Sequence, residues 1–402
     1  MLLIAFKYPP YAGVGSFRWA KLSKYLARMG REIHVVTVPW QAHGPNTLTD
    51  DVRHERIVIH TVRSGVPHNL RARPIGNRWL AAARDLARRP IDRALYFDDE
   101  AQRWGRHLLP FCEQLISERG LDVAVATGHP FQANRWALEL KRRVPRLRLV
   151  QDFRDPWADN PFRPLTDRQR EQVRTWQREA VEGADAIVTV TDGLRELYTQ
   201  DAQPRRAEVI PNGFDPETAP SARTRPPARE LTRITHVGNA FNGRDVPLRA
   251  LLDATRRRGP DAPWCVVLAG SVPRSLATEY ADLVAAGRLE LVPPMSHEDA
   301  LALIADSDVA LQLGAAEFPY LVSTKVYEHG VAGVPTLSLN YGGEIVRLVT
   351  ERGLGRSVDL RNDDLDAALN ELGSIGDGLT YDVTDFAYPK LAARYSELLD
   401  SL

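Results

Sequence analysis

Leu2-Leu3-Ile4-Ala5-Phe6, followed by Lys7-Tyr8-Pro9-Pro10-Tyr11-Ala12-Gly13-Val14-Gly15-Ser16-Phe17-Arg18, is the stretch that decides the fold. The apolar run reads as a buried strand, and the prolines and glycines punctuate a loop. From Ser16 a helical pattern begins. Trp19, Leu22, Leu26 and Met29 recur at i, i+3, i+7 and i+10, and Gly30 closes the run. Ile33–Val38 is the next strand and Ile57–Val62 the third. Asp122–Ala126, Leu147–Gln151, Ala186–Val190 and Glu208–Ile210 continue the series. Strands alternating with amphipathic stretches predict an α/β, parallel, doubly wound sheet.

Working outward, residues 216–230 hold four prolines and no large apolar residue, which predicts a linker. The rhythm then restarts at Ile234–Val237, Trp264–Ala269, Leu289–Val292, Val309–Gln312 and Thr336–Leu339. The expected organisation is one Rossmann-like domain over residues 1–215 and a second over 231–384. Tyr388–Leu399 is amphipathic. The chain has 402 residues, enough for two such domains at ~150 residues each.

With 44% hydrophobic and 26% charged residues, wholesale disorder is excluded. The 52 basic and 52 acidic side chains cancel, so no global field recruits nucleic acid or anionic lipid. Six of the 52 are lysines, leaving 46 arginines, which base-composition bias explains. Arg71, Arg73, Arg78, Arg84, Arg88, Arg89 and Arg93 cluster within residues 69–114, interleaved with Leu and Ala. That segment reads as a solvated helical face or as a surface for acidic lipid or a polyanionic acceptor.

Cys112 and Cys265 stand alone, which excludes a disulfide framework and a zinc ribbon and fits a reducing cytoplasm. The N-terminal sequence lacks the basic region of a signal peptide, and no apolar run approaches the ~18 residues of a membrane span. The expected protein is soluble, with membrane contact at most peripheral to the inner face. Its oligomeric state is not legible.

Candidate chemistry lies just after strands, where parallel sheets bind ligands. Gly13 and Gly15 permit close backbone approach, and the following helix start favours anions. A nicotinamide reading fails, because Arg18 stands at the third glycine position and Val38-Pro39-Trp40 ends the second strand without a ribose-binding carboxylate. His129 follows the fourth strand and Asp152, Arg154 and Asp155 close the fifth. Asp155-Pro156 has the form of a helix N-cap, while Asp152 and Arg154 suit the lining of a cleft.

In the second half, Gly238, Asn239 and Arg244 follow a strand. Ser323 and Thr324 read as N-caps whose backbone amides, beside Lys325, suit phosphate. Glu328 lies one turn on, placed to grip ribose hydroxyls; the alternative is a capped surface helix with an ordinary Lys/Glu pair. No His/Asp/Glu cluster has metal-ligand spacing, so no essential metal and no cofactor are expected.

Together, YPPYAGVGSFRWAKLSKYLARMGREIHVVT (8–37), DFRDPW (152–157), VTVTDGLRELY (188–198), VIPNGFD (209–215), HVGNAFNGR (236–244) and STKVYEHGVAGVPTLSL (323–339) resemble the successive signatures of family-4 retaining glycosyltransferases with the GT-B fold. The resemblance implies two Rossmann-like domains facing across a cleft, with the final helix, about residues 385–402, packing back onto the first. It implies a nucleotide-sugar donor, UDP first with GDP or dTDP as alternatives, held mainly by the second domain. The acceptor, a glycan, lipid or small molecule, sits mainly on the first.

Residue by residue, Gly13, Val14 and Gly15 match the loop near the donor phosphates, and His129 matches the active-site histidine. Arg244 falls near the diphosphate-binding cation. Lys325 with Ser323 and Thr324 resembles the rest of that cradle, and Glu328 matches the ribose ligand. Tyr320 stands eight residues before Glu328, where the family has a glutamate; Glu317 is the nearest carboxylate. Asn239 stands where an arginine often follows the glycine. The implied chemistry is metal-independent transfer by same-face attack, the leaving phosphate taking the acceptor proton. A GT-B sugar-nucleotide epimerase and a non-catalytic nucleotide-sugar-binding protein are the alternatives.

Overall fold

The computed structural model describes residues 1–11, 13–41, 47–65, 98–163, 165–220 and 229–402. The arginine cluster from Arg71 to Arg93, Ala12 and residues 221–228 of the expected linker lie outside the described residues. The chain divides into two compact units, Met1–Pro211 with Tyr388–Leu402, and Asn212–Ala387.

In the first unit, β1 (Leu2–Ala5), β2 (Ile33–Thr37), β3 (Ile57–Thr61), β4 (Val123–Thr127), β5 (Arg148–Phe153), β6 (Ala186–Thr189) and β7 (Ala207–Val209) form one parallel sheet. Its order is β3-β2-β1-β4-β5-β6-β7. β1 and, up to its last residue Thr127, β4 are apolar along their buried length because helices cover both faces of such a sheet.

The Val14–Arg28 helix buries Trp19, Leu22 and Leu26 as its spacing requires. Met29, expected on the same stripe, is 52% exposed, because the helix has already ended when the chain reaches it. Gly30 then takes φ +96°, a left-handed turn that a side chain would oppose. The Tyr388–Asp400 helix returns to this unit and buries Tyr388, Leu391, Tyr395, Leu398 and Leu399 in the same core as Trp19 and Leu26. Trp19 and Tyr395 meet edge to face at 5.1 Å.

The second unit repeats the plan with β8 (Thr232–Asn239), β9 (Trp264–Ser271), β10 (Leu289–Val292), β11 (Val309–Leu313), β12 (Thr336–Asn340) and β13 (Gly355–Asp359). All pairings are parallel, in the order β10-β9-β8-β11-β12-β13. Ile234, Leu248, Trp264, Leu268, Leu311 and Leu337 belong to its central core. β13 has no counterpart among the sequence expectations. Its Gly-Arg-Ser-Val-Asp offers one large apolar side chain, sufficient for an edge strand covered on one side.

No helix begins at Asp155-Pro156, contrary to the N-cap reading. There the chain is held irregular by the Trp157 indole donating to Asp98 Oδ2 (3.0 Å) and Arg163 donating to the Trp157 carbonyl (2.9 Å). The next helix starts at Asp167, where Thr166 and Gln169 form a reciprocal capping box.

Candidate functional site

In both sheets the strand order reverses at one point, between β1 and β4 in the first unit and between β8 and β11 in the second. The carboxyl ends of those strands frame a crevice where such sheets take ligands. The sequence-predicted residues fall into two groups around these two points.

In the first unit, Lys7 leaves β1 and His129 leaves β4. Lys7 Nζ lies 3.2 Å from His129 Nδ1 and 3.1 Å from a carboxylate oxygen of Glu100. Burial, reinforced by the Lys7 ammonium, lowers the His129 imidazole to about 4, so it is neutral at physiological pH. Gly15 is where the loop leaves room for Lys7: a Cβ there would stand 2.8 Å from Lys7 Cδ. Gly13, by contrast, lies under the Tyr11 ring, and Val14 opens the helix.

Arg154 ties these loops together. Its Nε donates to the Gly128 carbonyl (2.9 Å) and its Nη1 to the Gly15 carbonyl (3.0 Å). Asp152 offers no surface to an acceptor. It is fully buried and accepts from Arg18, the Trp19 indole (2.9 Å), the Thr127 hydroxyl (2.9 Å) and the Tyr395 hydroxyl (3.1 Å). Burial alone would raise its carboxyl, but Arg18 and Arg154 hold it below its ordinary value. Asp155 is half-buried, and its carbonyl accepts from Tyr198 (2.9 Å).

In the second unit, Asn239 ends β8, exposed, and Arg244 precedes the Asp245–Arg258 helix. Glu317, in the loop after β11, is exposed and its carboxylate lies against Gly243, at φ +82°. Tyr320 packs edge to face on Phe318 at 6.2 Å. Thr324 precedes the Lys325–Ala332 helix, but its side chain makes no capping bond. Ser323 Oγ instead accepts the Lys325 amide at 3.3 Å. The Ser323 and Thr324 amides meet no acceptor among the described residues.

Glu328 is buried, with one oxygen 2.9 Å from Lys325 Nζ and the other 3.6 Å from His297 Nε2. The sequence reading gives Lys325 and Glu328 separate roles; the structure joins them as an ion pair. Behind them, His329 and His236 are buried. Burial, with Lys325, lowers His329 to about 3, and burial, with Arg244 and Lys325, lowers His236. Both rings are neutral, so the local charge comes from Lys325, Arg244 and Glu328.

Sequence reasoning missed Lys7 and Glu100. One signal pointed to Lys7: in a chain with six lysines, it stands immediately beyond a central strand, as Lys325 stands beyond the β11 loop. Lys21 and Lys24 both pair with Asp51, at 2.7 and 3.0 Å. Two acidic pairs with Asp-x-Asp spacing are engaged structurally. Asp306 and Asp308 pair with Arg229, and Asp364 caps the Leu365–Asn370 helix while Asp366 pairs with Arg257. Among the described residues no group of three His, Cys, Asp or Glu side chains is arranged to hold a metal. Among them, too, no helix is long and apolar enough to cross a membrane.

Two parallel doubly wound sheets, each with a crevice at its reversal point, define the GT-B class. Solved structures share it. A glycosyltransferase from Rickettsia africae aligns over 100% of this chain and 97% of its own, with 13% identity and a TM-score of 0.64. The Anabaena protein HepE, solved in complex with UDP, aligns over 100% and 99%, with 14% identity and a TM-score of 0.59. The UDP-GlcNAc 2-epimerase from Methanocaldococcus jannaschii aligns over 100% and 99%, with 11% identity and a TM-score of 0.55. No curated protein sequence matches the chain. Residues 15–213 match the glycosyl transferase 4-like domain family. Residues 15–213 therefore carry a glycosyl transferase 4-like domain, in a chain with the GT-B fold.

Proposed function

We propose that the protein moves a sugar from a nucleoside-diphosphate sugar, UDP-linked in the first instance, to a glycan, lipid or small-molecule acceptor, with retention and without a metal. The observation that carries this reading is the group after β11: two amides without acceptors among the described residues, Lys325, and buried Glu328 one turn on. Amides and an ammonium suit a diphosphate, and a carboxylate suits ribose hydroxyls. Donor binding then belongs to the second unit, and acceptor binding to the first, with His129 meeting the donor sugar.

In the proposed reaction the acceptor oxygen bonds to the anomeric carbon on the face the diphosphate leaves. The carbon–oxygen bond to phosphate breaks, and the departing phosphate oxygen takes the acceptor proton. Lys325, Arg244 and the oriented amides stabilise the charge growing on that phosphate. The HepE structure with UDP supports a uridine nucleotide as the first ligand to try. We place the reaction in the cytoplasm, with residues 69–114 meeting acceptor or membrane surface.

The test is thermal stabilisation by UDP, GDP and dTDP, then by their sugars with transfer and product anomeric configuration read by NMR. A ligand at a hundred times its Kd stabilises by ~2.7 kcal/mol. No stabilisation by any nucleotide counts against the reading, and an inverted product against retention. The non-catalytic alternative is favoured by Tyr320 standing where the glycosyltransferase pattern has glutamate; donor binding with neither hydrolysis nor transfer identifies it, and donor isomerisation without transfer identifies an epimerase.

A further inference from the structure

We propose that Lys7, anchored by Glu100, holds His129 in the tautomer whose proton is on Nε2, making the histidine a fixed, neutral N–H donor. Lys7 is a positioning residue that acts through the imidazole. The assignment stands on the geometry of the first unit alone, while its catalytic consequence rests on the transferase reading.

An ammonium has three donors and no acceptor, so at 3.2 Å from His129 Nδ1 it donates, and Nδ1 must supply the lone pair. A neutral imidazole carries one proton, which is left on Nε2. Glu100, 3.1 Å from the same ammonium, balances its charge and fixes its direction. The ring is further held by Phe131, edge to face at 5.6 Å with an interplanar angle of 83°. The His129 loop is pinned by Arg154 at the Gly128 carbonyl. Gly15 completes the device, because any side chain there would meet the Lys7 stem.

The charged groups that face the ring are Lys7, Glu100, Arg163 and Asp98. Arg163 and Asp98 pair with each other, leaving Lys7 the cation in direct contact. Protonating Nδ1 would break the bond from Lys7 and set two cations side by side. Burial and the ammonium thus act in the same direction, keeping the ring neutral well below pH 7. His129 is then a hydrogen-bond donor toward an oxygen of the sugar, and its Nδ1 is closed to a proton from the acceptor hydroxyl.

The test uses the full chain labelled with 15N-histidine, with His129→Gln to assign its resonances among the ten histidines. Long-range proton–nitrogen spectra report which ring nitrogen is protonated as pH is varied. The wild type should show Nε2–H and a bare Nδ1 down to about pH 5. Lys7→Met should mix the tautomers and raise the pH of ring protonation by about 1 unit or more, as loss of a nearby like charge does. Lys7→Arg, which keeps the cation, should preserve the wild-type state. The acid limb of the transfer rate should move upward in Lys7→Met, with kcat more affected than KM.

A wild-type ring protonated on Nδ1 overturns the proposal. So does a Lys7→Met ring with unchanged tautomer and titration. If the spectra behave as expected but His129→Gln transfers sugar normally, the tautomer assignment stands and the placement of the transferase site fails.

Discussion

The hydroxyl of Tyr395, in the last helix, donates to the carboxylate of Asp152 at the end of β5 across 3.1 Å, joining residues 243 positions apart. The same carboxylate neutralises buried Arg18, at 3.1 Å. Tyr395→Phe should lose one bond to a charged acceptor, about 1.5–3 kcal/mol of stability. Asp152→Asn removes the carboxylate charge that faces the buried Arg18 guanidinium and should cost about 3–5 kcal/mol. Urea unfolding of the two variants measures both. Because the folded state holds the Asp152 carboxyl below its ordinary value, its contribution is present above that value. It is lost as pH falls from there through the lower folded pKa. The wild type's excess stability over Asp152→Asn should therefore shrink only in acid.

The arginine-rich segment is proposed to serve acceptor or membrane approach and not the donor. Neutralising Arg84, Arg88 and Arg89 together to glutamine should leave nucleotide affinity within error of the wild type while lowering transfer to a polyanionic or lipid-borne acceptor. Isothermal titration with UDP decides it. A fall in affinity with folding intact would show that the segment belongs to the donor site.

The alternation of apolar runs with amphipathic stretches placed β1, β2, β8 and β11 to within a few residues, because parallel strands covered on both faces are dominated by apolar side chains despite single polar members such as His34 and Gln312. β13 escaped because an edge strand needs few. Asp155-Pro156 misled because local capping chemistry is cheap, and here Trp157, anchored on Asp98, overrides it. The proximity of Ser323, Lys325 and Glu328 was readable since they span only six residues at one helix start. Lys7 and His129 were not readable as a pair. Their contact spans 122 positions and exists only because β1 and β4 lie side by side.

Transfer is expected to continue in excess EDTA. The diphosphate charge is assigned to Lys325, Arg244 and the Ser323 and Thr324 amides, and the Asp-x-Asp pairs are bonded to Arg229, Arg257 and a helix start. The check is the transfer rate before and after chelation, then after added magnesium or manganese. Loss on chelation with recovery on metal addition would refute metal independence.

Lys325 and Glu328 are an ion pair, 2.9 Å apart, in which the carboxylate is buried and the lysine half-exposed. The proposed donor pocket gives them different partners, diphosphate for Lys325 and ribose for Glu328. Charge grows on the diphosphate as the bond to sugar breaks, so Lys325→Ala should reduce kcat by about 10²–10³ with a smaller change in KM. Glu328→Ala removes a contact far from the breaking bond and should weaken free nucleotide and sugar nucleotide alike, with Glu328→Gln recovering part of the loss. Because each residue holds the other, the double variant should lose less binding than the two single losses added, by 0.5–3 kcal/mol in the usual range for residues in contact. Titration of UDP and a UDP-sugar into all four variants, beside steady-state transfer rates, gives the numbers. Normal affinity of Glu328→Ala for free nucleotide would remove this helix from the ribose site. Strictly additive losses would mean that the ion pair gives way to ligand contacts without coupling the two ends of the donor.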